Sequence, residues 1–221
     1  LQEPLRKIQT FISRIEDKEK ENLSETTRGY FEKILEASNR MRILIDDLLQ
    51  YSRTNRSEKK FEVTNLNMIA DNAVSELSEN ITEKNAQVIF KNLHNVHGIT
   101  FQLEQLFINI ISNSLKYSKP DVPAVITITS SKIKGYEKPK LKDNSKREYI
   151  KITFKDNGLG FEQKYAKKIF LLFNRLHGKN EFPGTGVGLA ICTKIVENHK
   201  GYIFAKGAPD QGATFEIYLP V

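Results

Sequence analysis

Apolar positions in the first 57 residues recur at helical spacing. Leu1, Leu5, Ile8, Phe11, Ile12 and Ile15 form one stripe, which a charged, apolar-poor stretch from Glu16 to Glu25 brings to an end. In a second stripe Ile34, Met41 and Leu48 repeat every seven residues, with Ala37, Leu44 and Tyr51 between them. Phe31, Leu35, Ile45 and Leu49 widen it, and only Gly29 and Pro4 punctuate the region. The pattern predicts two antiparallel helices over 1–18 and 25–55. Such a hairpin is marginal alone, and its seam is wider than one neighbouring helix covers. A second copy could complete a four-helix bundle, or the rest of the same chain could cover the stripe.

From residue 58 the pattern changes. Short apolar runs predict strands at 61–63, 88–93, 124–131, 149–156, 202–206 and 213–219, the last two paired as a hairpin across Gly207–Gly212. Helical periodicity predicts helices at 66–79, capped by Asn65 or Asn67, at 101–116, opened by Thr100, and at 187–198. A short helix is expected near 164–173. The fold class is α+β: an N-terminal helical hairpin, then helices layered on a mixed sheet. The domains are 1–57 and 58–221, with Glu58–Lys60 as hinge.

Composition narrows the function classes. Of 221 residues 39% are hydrophobic and 28% charged, enough for a core and unlike a disordered chain. The single cysteine, Cys192, excludes an intrachain disulfide. No apolar run approaches the ~20 residues of a membrane span. Without a start methionine or signal peptide, the chain reads as a soluble fragment of something longer. The net charge of +7 is concentrated between Lys132 and Glu148, where seven Lys/Arg face three acids. That stretch reads as a solvated loop between strands. There is no tryptophan, and only Tyr136 and Tyr149 accompany the basic residues, so no nucleic acid is expected.

Three segments carry candidate chemistry. On helix 101–116, Asn109, Asn113 and Lys116 share the face opposite Leu103, Leu106, Phe107, Ile110, Ile111 and Leu115. Amide oxygens are hard ligands for Mg²⁺ and an ammonium neutralises phosphate, although a solvated polar face has the same pattern. Asp156-Asn157-Gly158-Leu159-Gly160 follows a strand; its carboxylate suits an exocyclic amine, or the segment is a plain turn. Gly184-Thr185-Gly186-Val187-Gly188-Leu189 runs into a helix, where bare backbone and free N–H groups suit an anion. It is neither a P-loop nor a dinucleotide fingerprint. Arg175 to Pro183 reads as a flap ahead of it. His94, His97, His177 and His199 read as satisfied or solvated.

In order, these segments resemble the nucleotide-binding domain shared by sensor histidine kinases, Hsp90-type chaperones, gyrase and MutL. Asn109–Tyr117 is similar to the N box, Asp156–Gly160 to the G1 box, Phe170–Leu176 to the F box, Gly184–Gly188 to the G2 box, and Gly212–Thr214 to the closing motif. Leu1-Gln2-Glu3-Pro4-Leu5-Arg6-Lys7 resembles the end of the histidine kinase H box, and Leu49-Gln50-Tyr51-Ser52-Arg53 the end of the second dimerisation helix. The first of these phrases and Arg175-Leu176-His177 point to the phytochrome-like branch.

The resemblance implies a two-layer α/β sandwich of the GHKL (Bergerat) type behind a dimeric four-helix bundle. It implies ATP and Mg²⁺ as cofactors: Asp156, with Gly158 and Gly160, for adenine; Asn113 and Asn109 for the metal; Lys116 and Tyr117 for phosphates or ribose. Gly184, Thr185, Gly186, Val187, Gly188 and Leu189 would wrap the triphosphate, with Thr214 closing the pocket. The phospho-accepting His would lie two residues before Leu1, so the chain as given is expected to hold ATP without autophosphorylating. Glu3 stands where many relatives carry Thr or Asn for dephosphorylating their partner. The implied partners are a second copy, through the hairpin, and a response-regulator receiver domain. The implied location is cytoplasmic, with membrane contact only through other parts of a parent protein. Another ATPase of the superfamily, or a module that only binds nucleotide and dimerises, are the competing readings.

Overall fold

The computed structural model describes residues 2–19, 22–56, 60–137, 147–176, 182 and 184–221, without the side chains of 50, 51 and 53–56. The chain divides into two compact units, Leu1–Ser52 and Arg53–Val221.

The first unit is a helical hairpin of α1 (Gln2–Lys18) and α2, which starts at Glu25 and runs to Arg56. Ser24 caps α2, its Oγ accepting from the Thr27 N–H at 3.2 Å. The helices are antiparallel: Ser38 Oγ donates to the Leu5 carbonyl at 3.5 Å, and Gln2 Nε2 to Asp46 Oδ1 at 2.6 Å. Leu5, Ile12 and Ser38 are buried, whereas Ile8, Phe11, Ile15, Ile34, Met41, Leu48 and Leu49 stay exposed. The seam is thus wider than one hairpin closes, as the sequence requires.

The second unit layers helices on one face of a sheet. Strands β2 (Gln87–Phe90), β4 (Val125–Lys134), β5 (Glu148–Asp156), β7 (Ala213–Pro220) and β6 (Tyr202–Gly207) lie in the order β2-β4-β5-β7-β6. Among the described residues only the β2–β4 pair is parallel. β1 (Glu62–Asn65) and β3 (Asn95–Gly98) form a separate antiparallel pair. Against the sheet's Ile126, Ile128, Ile152, Phe154 and Ile217 pack α3 (Leu66–Glu76), α5 (Thr100–Lys116) and α6 (Gly188–Asn198). Phe107 meets Phe154 edge-on at 4.8 Å, worth about 0.5–1.5 kcal/mol beyond the area it buries. On the other face Tyr149 and Tyr218 are buried among Ile133, Tyr202 and Phe204. Beside them Glu216 bridges Lys151 (2.9 Å) and Lys206 (3.3 Å).

Several boundaries differ from the sequence expectation. The helix expected over 66–79 stops at Glu76 and resumes as α4 (Ser78–Glu83), the break falling at buried Leu77. Asn65 is the cap of α3, accepting from Asn67 N–H at 2.9 Å. Thr100 does not cap α5; Ile99 stands at the cap, and the Thr100 hydroxyl donates to Glu62 Oε1 at 2.6 Å. β3 was not expected. The helix expected near 164–173 is two single 3₁₀ turns, Gln163–Tyr165 and Lys168–Phe170. The stretch 132–148 is not wholly a loop, because β4 and β5 stay paired out to Lys134↔Glu148. Its residues 138–146, like most of the expected hinge and the flap positions 177–181 and 183, lie outside the described residues. Among the described residues no helix is long and apolar enough to cross a membrane.

α5 and α6 run antiparallel and are pinned at both ends. At one end His199 is buried; its Nε2 accepts from Ile99 N–H at 2.9 Å and its Nδ1 donates to the Ile195 carbonyl at 2.7 Å. Asn198 Nδ2 adds a bond to Gln102 Oε1 at 3.2 Å. At the other end Asn109 Nδ2 donates to the Gly188 carbonyl at 3.3 Å. Of the other histidines, His94 is bonded to Ser130 Oγ (2.7 Å) and His97 stacks on Phe61. His199→Ala strands the buried Ile99 N–H. It should lower unfolding free energy by about 1–3 kcal/mol, read as a lower urea midpoint at unchanged m-value.

Candidate functional site

The C-terminal half of α5 faces the start of α6, and here the polar stripe of α5 meets the glycine loop. The Asn109 carboxamide is already committed, accepting from Gln105 Nε2 at 3.0 Å while it holds Gly188. One turn on, nothing among the described residues bonds to the Asn113 carboxamide, and a Cβ placed on Gly188 would lie 3.9 Å from its Nδ2. Among the described residues no side chain caps α6, so its first-turn N–H groups are available to an anion. Cys192 sits behind this end of α6, fully buried, and burial pushes its thiol up to about 12; it is inert.

Lys116 lies against the glycine loop. A Cβ on Gly184, whose φ is +141°, would fall 2.6 Å from the Lys116 Nζ. The ammonium also stands 4.6 Å over the Tyr117 ring, which packs on Phe182 at 5.1 Å. Arg175 clasps the incoming chain, donating to the Gly184 carbonyl at 2.9 Å and to the Phe182 carbonyl. Phe173 adopts φ +61°, rare for a bulky residue, and its N–H donates to the Gly186 carbonyl at 3.0 Å. Gly186 in turn, at φ +76°, has no room for a Cβ, which would sit 2.9 Å from the Asn174 carbonyl oxygen.

Asp156 ends β5 beneath this arrangement. Its Oδ1 accepts two backbone N–H bonds, from Gly158 (3.0 Å) and Ala213 (2.9 Å), and its Oδ2 lies 3.2 Å from Ser114 Oγ on α5. Burial raises the carboxyl pKa, and these three bonds oppose the rise. The turn after it is interlocked: the Leu159 N–H donates to the Tyr117 carbonyl at 2.9 Å. A Cβ on Gly160 would meet the Ala208 carbonyl oxygen at 2.1 Å, and one on Gly212 the Asp156 carbonyl oxygen at 2.0 Å.

The sequence-predicted residues therefore gather in one place, with differences of role. Asn109, Asn113, Lys116, Tyr117, Asp156, Gly158, Gly184, Thr185, Gly186, Gly188 and Leu189 surround the junction of α5, α6 and the β5 turn. Val187 is instead a core side chain, fully buried. Gly160 serves close packing of the β6–β7 turn. Thr214 is on the wrong side: strand alternation puts it with its cross-strand neighbours Lys155 and Lys206, and the contribution of this segment to Asp156 is the Ala213 N–H. Asn157 is structural, bonding Val125 N–H (2.9 Å) and the Pro123 carbonyl (3.0 Å). Sequence reasoning missed Ser114, which a polar residue four positions after Ile110 on the apolar stripe of α5 could have flagged, and the backbone role of Phe173, for which no sequence signal exists.

Two measurements check this geometry. Asn109→Ala should lower the melting temperature by several degrees, about 1 kcal/mol for its lost helix-to-helix bonds, while Asn113→Ala leaves it within about 1 °C. Because its pKa is raised above the ordinary 3.8, folded Asp156 keeps its proton where the unfolded chain has lost it. Its contribution to stability therefore falls as pH rises through that window. Asp156→Asn removes the titration, so in urea denaturation the variant should gain on the wild type as pH rises above the ordinary carboxyl pKa of 3.8.

Comparison with known proteins supplies the family. Residues 98–221 match the family described as "Histidine kinase-, DNA gyrase B-, and HSP90-like ATPase", and residues 1–57 match the "His Kinase A (phospho-acceptor) domain". The chain is 30% identical over its whole length to the phytochrome-like protein Cph1 of Synechocystis sp., spanning 28% of that protein. It is 33% identical to cyanobacterial phytochrome A of Nostoc sp., again over its whole length and 27% of the relative. It thus spans under a third of these relatives. Among solved structures it resembles full-length ShkA in complex with AMPPNP, with TM-score 0.69 and 20% identity over 99% of this chain and 43% of that one. It also resembles histidine kinase ThkA in complex with the response regulator TrrA, with TM-score 0.62 and 21% identity over 99% of this chain and 59% of that one. A hairpin matching the phospho-acceptor domain, joined to a mixed-sheet unit matching the ATPase domain, makes this chain a member of the histidine kinase family.

Proposed function

We propose that this chain is the kinase core of a two-component sensor, binding ATP–Mg²⁺ and passing its γ-phosphoryl group to a histidine just upstream of Leu1, and from there to an aspartate of a response regulator. One observation carries the nucleotide reading. The unbonded Asn113 carboxamide, the Lys116 ammonium, the uncapped start of α6 and the buried Asp156 carboxylate come together around glycines that leave main chain bare.

The donors suit the roles. Asp156, ionised, accepts from the adenine amine in a site where a 6-oxo group would meet a second acceptor. Gly158 lets the turn beside Asp156 close on α5, since a Cβ there would meet the Tyr117 carbonyl oxygen at 2.5 Å. Lys116 and the first-turn N–H groups of α6 offset phosphate charge, and Gly184, Thr185 and Gly186 follow the triphosphate, the two glycines offering it bare main chain. Asn113, with Asn109 beside it, would hold a magnesium ion through its hard amide oxygen, and such an ion would supply charge neutralisation to the phosphates. Phosphoryl transfer needs little else from the protein than positioning and charge neutralisation. The exposed stripe of the hairpin supports a homodimer in a four-helix bundle, and the response regulator would dock on that hairpin.

Calorimetric titration tests the reading. The 221-residue chain should bind ATP more tightly with Mg²⁺ than without. Asp156→Asn should weaken binding by about 10- to 100-fold, the worth of hydrogen bonds to a charged group, with the fold intact by circular dichroism. Asn113→Ala should remove the Mg²⁺ dependence. A chain extended upstream by its native residues should incorporate acid-labile ³²P from γ-labelled ATP. Equal affinity for ATP in wild type and Asp156→Asn would falsify the pocket.

A further inference from the structure

Ser114 is buried on α5, and its hydroxyl stands between two acceptors, the Ile110 carbonyl at 3.1 Å and Asp156 Oδ2 at 3.2 Å. A hydroxyl carries one proton and can satisfy only one of them. The Ile110 carbonyl already has a helical partner, the Ser114 backbone N–H, by the i to i−4 pattern of α5. Oδ2 has no other donor among the described residues, whereas Oδ1 takes both backbone bonds, from Gly158 and Ala213. We propose that Ser114 is a positioning residue for nucleotide recognition: its hydroxyl donates to Asp156 Oδ2, holding the carboxylate ionised and turned so that its remaining lone pair accepts from the purine amine.

The proposal rests on the nucleotide reading above and deepens it. Three donors from three segments fix the plane of the carboxylate: the β5 turn, the start of β7 and α5. Burial pushes this carboxyl towards its neutral form, and among the described residues Ser114 is the only side chain that counters it. The other groups around Asp156 do not help. Ile126 is its cross-strand partner on β4, and Lys155 alternates to the opposite face. Lys119 is spent on the Asp210 carbonyl at 2.7 Å, and among the described residues no charged side chain contributes to the shift. A protonated Oδ2 would be a donor facing a donor, so loss of the hydroxyl should weaken binding of an amine-bearing purine most where the carboxyl is easiest to protonate.

The test is Ser114→Ala, a change that suits a helix interior and removes one oxygen. The carboxyl titration of Asp156 is followed by ¹³C NMR in the nucleotide-free chain, and binding of ATP and of purine riboside triphosphate, which lacks the amine, is measured at mildly acidic and mildly alkaline pH. The Asp156 midpoint should move to higher pH in the variant. ATP affinity at acid pH should fall about three- to tenfold, the worth of one hydrogen bond, while the analogue changes less than about twofold. An unchanged midpoint, or equal losses for both ligands, overturns the proposal, because a packing role would weaken both alike. If the midpoint moves but the wild type binds no ATP, the hold on the carboxylate stands and the nucleotide reading is what fails.

Discussion

His199 and Asn109 hold α5 and α6 antiparallel from opposite ends, and the positions of the candidate ligand groups on these two helices follow from that pairing. α5 contributes Asn113, Ser114 and Lys116; α6 contributes an uncapped N-terminus. A slide of one helix along the other by a single residue, about 1.5 Å, would take Gly188 away from Asn113. Neither pin is hydrophobic. Phe107, Ile110, Ile191 and Ile195 are buried and add hydrophobic stabilisation, which is non-directional. The two directional bonds set the register.

The β5 turn is fixed by a different device. Gly160 and Gly212 lie where a methyl group would overlap main-chain oxygens, so the turn after Asp156 and the β6–β7 turn are in contact backbone to backbone. The carboxylate then has no freedom to follow a ligand; it is presented. On the proposed reading the purine ring would meet this rigid acceptor, and the phosphates would meet the loop that Arg175 clasps.

Much of this was legible in the residues. The change from 3.6-residue to two-residue periodicity near residue 58 separates hairpin from sheet, and Asn109, Asn113 and Lys116 fall on one face because three- and four-residue offsets put them there. Single-residue offsets were harder. Thr214 reads as a ligand group until the pleat is laid out, and the pleat assigns it to Lys155 and Lys206. Thr100 reads as a cap, but a long-range partner, Glu62, takes its hydroxyl. β3 has only four residues, and its pairing with β1 is a tertiary fact that local pattern does not encode. Asn109 looks like a twin of Asn113; the structure separates them by what each has already spent.

Phe173 holds the glycine loop through its amide alone, while its ring stands outward, 57% exposed. Anchorage and surface chemistry are therefore uncoupled at this position. Related chains can diversify the outward group without loosening the loop, provided the backbone still reaches its left-handed turn, and Asn or Gly would reach it at lower strain than an aromatic. A bulky ring kept in so costly a conformation is a candidate for selection by what it meets outside the fold rather than by anything within it.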